Sequence, residues 1–311
     1  LPVILIRRKL RTSTADCEFL GRIKGPLNWD DPTLLEELKL KHILPPATLP
    51  LNLTDPKNSV YQIHKFKFGW QFFNHYNKQF FSKLKSGFFL EAGALDGEFL
   101  SNTLWLEQSQ NWSGLLIEAD PVNFQYLTWK RRKAWISHTC ISEKMYPREA
   151  IIESLQETAI GFAVPWLYRA NAHELNTYFS NIRGGYTDIS AHSYSKVQCF
   201  PLRSYLKALN VTTVDYMSLD TQGHEWEMIK TLLKGTISVR VLAVEHFPDV
   251  DYIQEGTSID EKFILYMRDI GFRLIDIDDN TNYIFVLEGD PLLDVPLTKY
   301  SHKRNKQRNK R

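Results

Sequence analysis

The sequence predicts an α/β fold, with a mostly parallel sheet that ends in an antiparallel hairpin. First, an apolar run at residues 88–91 ends in Glu91 and leads into a turn that contains Gly93 and Gly97. Second, another apolar run ends in Glu118, 21 residues after Gly97. At about this spacing, the second strand of a nucleotide-binding unit delivers a carboxylate to a ribose. Third, apolar runs then alternate with amphipathic segments, as in a parallel sheet covered by helices.

Each strand is predicted from an apolar run and each helix from a segment with one apolar face. The predicted strands are residues 88–91, 114–118, 134–141, 211–220, 239–245, 272–277 and 282–287. The predicted helices are residues 30–42, 74–85, 101–108, 123–130, 224–233 and 259–270. Gly271 ends the last helix. The polar residues 278–281 predict the turn of the final hairpin.

The pattern divides the chain into three regions. Residues 1–73 are interrupted by prolines such as Pro45 and predict an N-terminal extension or linker with one short helix. Residues 74–292 form the main domain. Within it, residues 143–195 are longer than most connections and predict a loop-rich insertion. Residues 293–311 predict a basic disordered tail.

The charge is concentrated at one end of the chain. The sequence has 38 Lys and Arg against 36 Asp and Glu, a net charge of +2. Residues 302–311 hold six of the basic residues and no acidic one, which leaves 32 against 36 in the rest. The body therefore lacks the basic surface typical of a nucleic-acid-binding protein. No apolar run approaches the ~20 residues of a membrane span, so none is expected within this chain.

Cysteines and glycosylation motifs bear on the compartment. The cysteines are Cys17, Cys140 and Cys199. Their spacing does not match a metal site, and no metal is expected. One disulfide with a free thiol, or three free thiols, are both compatible with the count. N-glycosylation motifs begin at Asn52, Asn111 and Asn210. Such motifs also arise by chance, so they favour a lumenal location only slightly.

The first glycine turn favours S-adenosylmethionine as the ligand. A dinucleotide-binding turn needs glycine where this chain has Leu95 and Glu98, and Glu98 would repel a diphosphate. S-adenosylmethionine is cationic at sulfur and carries no phosphate. We therefore expect a cofactor site at this turn and at the end of the second strand. The expected cofactor-binding residues are Glu91, Gly93, Ala94, Asp96, Gly97, Glu118 and Ala119.

Three residues at later strand ends are candidates for catalysis. In open α/β sheets the site lies beyond the carboxyl ends of the strands. His246 follows the fifth strand and is the first candidate for a general base, because imidazole titrates near neutrality. Asp220 ends the fourth strand and is expected to orient His246 or to face the transferred methyl group. His224 is the second candidate base. Asp220 is also well placed as a helix N-cap, which needs no catalysis.

Four sequence blocks resemble FkbM-type methyltransferase domains. They are residues 91–98, 101–104, 114–121 and 214–225. The first three are most similar to the animal Star-like branch of that family. The resemblance implies a class I S-adenosylmethionine-dependent methyltransferase fold with a Rossmann-like sheet. For the Star-like branch it implies a lumenal domain on a membrane anchor, linked to the export of growth-factor ligands from the endoplasmic reticulum.

The sequence departs from the family pattern at Leu95, where members often carry Asn, and at Gln222, where they often carry Glu. These departures bear on turnover more than on the fold. The functional expectation is methyl transfer to a hydroxyl of a small polar or sugar-like acceptor. The alternative is a non-catalytic, Star-like factor that binds protein cargo and supports transport to the Golgi. The expected location is the secretory-pathway lumen if an anchor precedes this chain, and the cytoplasm otherwise.

Overall fold

The computed structural model describes residues 26–54, 69–155, 172–175, 177, 192–232, 237–247 and 259–301. The strands are β1 (Ile43–Leu44), β2 (Phe88–Ala92), β3 (Ser113–Glu118), β4 (Trp135–His138), β5 (Cys140–Ser142), β6 (Arg148–Leu155), β7 (His173–Glu174), β8 (His192–Pro201), β9 (Thr213–Leu219), β10 (Ser238–Glu245), β11 (Phe272–Asp278) and β12 (Asn282–Leu287). The α-helices are α1 (Pro32–Glu37), α2 (Gly69–Phe81), α3 (Leu104–Gln110), α4 (Pro121–Lys130), α5 (Leu202–Ala208), α6 (Glu225–Leu232) and α7 (Glu261–Asp269). Leu38–His42 forms a π-helical turn and Pro291–Asp294 a 3₁₀ turn.

The larger sheet has eight strands in the order β1-β4-β3-β2-β9-β10-β12-β11. The five central strands, from β4 to β10, are parallel, whereas β12 and β11 form an antiparallel hairpin at one edge. The predicted α/β fold with a terminal hairpin is thus confirmed. From β2 the chain adds β3 and β4 on one side of the sheet, and it later adds β9 and β10 on the other side. The direction of the connections therefore reverses between β2 and β9. A crevice forms at such a switch point, next to the carboxyl ends of β2 and β9.

Both faces of this sheet are covered, as the continuous apolar runs predict. Side chains alternate along a strand, so neighbouring residues enter opposite layers. Phe89 and Tyr216 pack with the layer that contains α2 and α4. Leu90 and Met217 pack with the layer that contains α5, α6 and α7. All four are fully buried, so β2 and β9 are held rigidly between the two layers.

The described part of the predicted loop-rich insertion at residues 143–195 includes regular structure. β6 and the two-residue β7 fall within it, and β8 begins there; they join β5 in a second sheet of order β5-β8-β6-β7. The single strand predicted at residues 134–141 is also corrected, because it divides into β4 in the large sheet and β5 in the second sheet. β8 has no continuous apolar run, because only its second half is buried, and this is why the sequence did not predict it as a strand.

A disulfide links two neighbouring strands of the second sheet, β5 and β8. Cys140 and Cys199 are register partners in the parallel pair β5 and β8, with their Cα atoms 4.2 Å apart, and they are bonded to each other. Of the two alternatives left by the sequence, the structure therefore has a disulfide. Cys17 lies outside the described residues.

The N-terminal region is more than a linker. In its described part, α1 begins after the N-cap Asp31, whose carboxylate accepts hydrogen bonds from the first turn. Leu34, Leu38 and Ile43 are buried in the same core as the central strands. β1 pairs antiparallel with β4 and so forms the edge of the large sheet. Residues 26–54 are therefore part of the folded domain, while residues 1–25 and 55–68 lie outside the described residues.

Two boundaries also shift. The helix predicted from residue 74 begins at Gly69, because Phe72 and Phe73 already face the core. The described part of the predicted disordered tail packs on this helix: the Tyr300 ring lies 5.7 Å from the Phe72 ring, and Thr298 N–H donates to Gln79 Oε1. Residues 302–311 lie outside the described residues. No helix in the described part is both long and apolar enough to cross a membrane.

Candidate active site

A cleft opens at the carboxyl ends of β2, β3 and β9, at the switch point of the large sheet. Its cavity has a volume of about 110 Å³, and the space reaches about 980 Å³ when the part that opens to solvent is counted. One wall is formed by the large sheet and the opposite wall by the second sheet. We call this space the cleft.

The turn after β2 brings two strand ends into contact. Asp220 N–H donates to Ala92 O at 3.1 Å, and Gly93 N–H donates to Ile117 O at 3.0 Å. Gly93 has a φ of +83°, and a Cβ added there would lie 1.9 Å from Asp220 O. Only glycine fits this position. The resulting bare backbone leaves a ligand free to approach the turn closely.

Glu91 is held at the floor of the cleft by hydrogen bonds. Its carboxylate accepts from Ser101 Oγ at 2.9 Å, Asn102 N at 2.7 Å and Thr103 Oγ1 at 2.5 Å. Burial raises the pKa of Glu91, while the nearby Arg132 guanidinium and these hydrogen bonds act against the rise. Glu91 thus anchors the segment after the turn, and it also lines the cleft.

Glu118 ends β3 and points at the same turn. Its carboxylate accepts from Leu95 N and Asp120 N, each at 2.8 Å, and from the Asn123 side chain. Burial, and then the neighbouring Asp120 carboxylate, raise the pKa of Glu118 to about 8. Leu95 has a φ of +49°. This left-handed conformation is tolerated better by Asn, the residue that family members often carry there.

The other predicted cofactor residues divide into two groups. Ala94 and Ala119 line the cleft beside Glu118. Asp96 and Gly97 are not among the residues that line it. Asp96 Oδ1 accepts from two backbone N–H groups of the turn that follows it, and Gly97 O accepts from Arg132 Nη1. Both therefore support the turn from behind, and their contact with the cofactor stays a prediction.

The candidate catalytic residues separate in the same way. Asp220 and His224 line the cleft, whereas His246 does not. His246 Nε2 lies 3.0 Å from Oδ2 of Asp260, the N-cap of α7, and its ring lies 4.2 Å from the Phe263 ring. The expected pairing of His246 with Asp220 is therefore corrected: the fifth strand directs His246 away from the cleft, toward the start of α7. His224 lies on the cleft side, partly exposed.

Several residues of the cleft were not predicted. The second sheet contributes Cys140, Ile152 and Glu174 to the lining. Glu174 Oε2 lies 3.6 Å from His224 Nε2, and Arg148 forms a bidentate pair with Glu174. No local pattern marks the two-residue strand β7, because the pairing of β7 with β6 depends on residues far apart in the chain. In the described part of the chain, no group of three or more potential ligands is arranged to hold a metal ion.

Comparisons with known proteins agree with this arrangement. The model of the "Methyltransferase FkbM domain" family matches residues 91–274, more than half of the chain. No curated protein matches the chain significantly.

Solved structures include distant matches. The methyltransferase FkbM from Methylobacillus flagellatus KT is 12% identical with a TM-score of 0.35, and the match covers 82% of this chain and 58% of that one. TrmK of M. capricolum, solved with the cofactor product S-adenosylhomocysteine, is 10% identical with a TM-score of 0.30, over 68% of this chain and 65% of that one. A methyltransferase from Aquifex aeolicus is 11% identical with a TM-score of 0.31, over 83% and 97%.

The family assignment rests on the match of the family model. The matched region begins at Glu91, in β2, and ends at Leu274, in β11. It therefore contains Gly93, Glu118, Asp220 and His224, all of which line the cleft. The chain belongs to the FkbM methyltransferase domain family and has the class I methyltransferase fold.

Proposed function

We propose that the cleft binds S-adenosylmethionine with its ribose at Glu118, and that the enzyme methylates a hydroxyl of a small polar or sugar-like acceptor. The carrying observation is that Glu118, the bare turn at Gly93 and Asp220 line one cleft. A carboxylate can accept both hydroxyls of a ribose. When bound, the cofactor supplies an electrophilic methyl group.

The acceptor side of the cleft favours a neutral, hydrogen-bonding substrate. It carries Asp220, Gln222, His224 and Glu174, which can orient hydroxyl groups. None of the described lining residues is Lys or Arg. The nearby Arg148 is already paired with Glu174. The described lining residues therefore offer no unpaired Lys or Arg to a phosphorylated or carboxylated acceptor, which disfavours its binding. Asp220 and His224 are the candidates nearest to a substrate proton.

The test is calorimetric titration with S-adenosylmethionine. We expect binding by the wild-type protein and a loss of at least about a hundredfold in affinity in Glu118→Ala, since one carboxylate holding two hydroxyls contributes about 3 kcal/mol. Glu149→Ala is the matched control, because Glu149 is an exposed carboxylate paired with Lys196 on the surface. Unchanged affinity in Glu118→Ala would contradict the proposed site. No binding by the wild-type protein would contradict the proposed function.

The pH dependence is a second arm of this test, measured with S-adenosylhomocysteine. The ionised form of Glu118 accepts hydroxyl groups best, and its pKa is about 8. Affinity should therefore rise with pH, by up to about tenfold per pH unit, and level off above that value. In Glu118→Gln the rise should disappear. The folding stability of the free protein should change with pH in the opposite direction to the affinity. The Glu118 carboxyl stabilises the fold fully below its ordinary pKa of 4.5, and this contribution is lost as the pH rises to about 8.

We further propose that the domain works in an oxidising compartment, the lumen of the secretory pathway. The Cys140–Cys199 disulfide supports this, because disulfides persist in such compartments and are rare in the cytosol. The motif residues Asn52, Asn111 and Asn210 are all exposed, so glycans could project into solvent. The alternative function, a Star-like factor that carries growth-factor cargo from the endoplasmic reticulum to the Golgi, would share this compartment.

Expression through the secretory pathway of animal cells tests the location. We expect the intact mass to fall after enzymatic removal of N-glycans, and thiol alkylation without reductant to leave Cys140 and Cys199 unmodified. Asn111→Gln and Asn210→Gln should each remove one glycan. An unglycosylated protein with both thiols alkylated would contradict the proposal. The cargo alternative predicts in addition that Glu118→Ala leaves cargo export intact.

A further inference from the structure

A pair of carboxyl groups lies where β9 and β10 end. Asp220 follows β9 and Glu245 ends β10, and one side chain, the Gln222 amide, contacts both carboxyl groups. The Gln222 amide bridges them: its Nε2 donates to Asp220 Oδ1 at 2.6 Å and to Glu245 Oε2 at 2.7 Å. Gln222 has a φ of +62°, the left-handed region that a non-glycine residue seldom adopts. We call this arrangement the carboxyl pair.

The surroundings of the carboxyl pair favour one shared proton. Glu225 from α6 adds a third carboxyl group nearby, and its own oxygens accept from Thr221 N and Gly223 N. The neighbouring His246 points away from the pair, to Asp260. Two carboxyl groups that share one amide donor lie close together, and such neighbours cannot both ionise cheaply. Burial, and then the charge of Asp220, raise the pKa of Glu245 well above its ordinary value.

The carboxyl pair lies at the reacting end of the proposed cofactor site, so any role for it in the reaction rests on the proposed function. The strand ends succeed one another across the cleft in the order β3, β2, β9. They present Glu118, Gly93 and Asp220 in turn. If Glu118 holds the ribose, Gly93 and Asp220, which line the cleft beyond it, would be the residues that face the positively charged sulfur of the ligand.

We propose that the carboxyl pair is the counter-ion of the sulfonium group, that it loses its shared proton when the cationic cofactor binds, and that it then accepts the proton of the acceptor hydroxyl. A positive charge close to the pair favours the form in which both carboxyl groups are ionised. In the transfer, the methyl carbon–oxygen bond forms as the carbon–sulfur bond breaks. Sulfur keeps the electron pair and becomes neutral, and the hydroxyl proton passes to Asp220.

This cycle gives Gln222 a specific role. The carboxylate that family members often carry at this position would add a third negative group to the pair, whereas an amide donates a hydrogen bond to each carboxyl group and adds no charge. Gln222 is thus a positioning residue, which holds the two carboxyl groups together when both are ionised. The general base of the reaction is then Asp220, generated by cofactor binding, and no imidazole is required.

The experiment counts protons by calorimetry, at neutral pH and in buffers of different ionisation enthalpy. S-adenosylmethionine should release about one proton more than S-adenosylhomocysteine, which lacks the sulfonium charge. Any proton released from Glu118 is common to both ligands and cancels in the difference. Sinefungin, which carries an amine-bearing carbon in place of the methylated sulfur, should behave like S-adenosylmethionine.

In Glu245→Gln the difference should vanish, because the pair no longer holds a proton to release. Glu149→Gln, on the exposed surface, should keep it. Equal proton release by the two ligands in the wild-type protein would overturn the proposal whatever the variants do, and so would a difference that persists in Glu245→Gln. Failure of the proposed function is a separate outcome, in which neither ligand binds.

Discussion

Gly93→Ala is expected to abolish binding of S-adenosylhomocysteine and to destabilise the protein by about 3 kcal/mol or more. The new Cβ would lie 1.9 Å from Asp220 O, a backbone atom that cannot rotate away. β2 and β9 would have to separate, and the hydrogen bond from Asp220 N to Ala92 O would break. Urea unfolding measures the stability and calorimetry the binding.

Gly289→Ala is a matched control for this change. Gly289 has a φ of +80°, close to that of Gly93, but an added Cβ would meet nothing within 4 Å. The free energy of unfolding should fall by only about 1 kcal/mol, which is the cost of a left-handed backbone at a residue other than glycine. This variant should bind the ligand normally. If the two variants proved equally stable and both bound the ligand, the close approach of the two strand ends would not be essential.

Arg132→Met is expected to destabilise the protein by about 3–5 kcal/mol, because it leaves a buried carboxylate without its partner. The Arg132 side chain is fully buried, and its Nε lies 2.8 Å from Glu107 Oε2. The guanidinium also donates to Ser101 Oγ and Thr103 Oγ1, each at 3.1 Å, and both hydroxyls donate to Glu91. Ligand affinity should therefore fall together with stability.

Arg273→Met provides the comparison for an exposed pair. Arg273 pairs with Glu288, and both side chains are more than half exposed, so the change should cost less than about 1 kcal/mol. A loss in Arg132→Met no larger than that in Arg273→Met would show that the buried network contributes little to stability.

Local patterns predicted most of the large sheet. The strands were apolar runs long enough to be buried on both faces, and the hairpin turn was marked by Asp279 and Asn280, both with positive φ. Glu118 was predicted from spacing alone and lines the cleft. These features depend on residues near one another in the chain, so the sequence carries them directly.

The second sheet and the carboxyl pair were not predicted, because they depend on distant residues. β6 and β8 pair across a long segment, and neither is apolar enough to stand out. His246 was chosen as a base because it follows a strand end. Its direction is decided by α7, whose N-cap Asp260 pairs with it, and no local pattern contains that contact.

The sequence by itself determined the family, the succession of the central strands along the chain and the place of the glycine turn and Glu118, since strand period, turn chemistry and spacing are local properties of the chain. Only the tertiary structure decided which acidic residues meet. It places Glu245 and Asp220 on either side of the Gln222 amide, which donates to both. It also directs His246 to Asp260. The physical reason is that such pairings depend on packing between separate elements, whose relative positions are set by the whole fold.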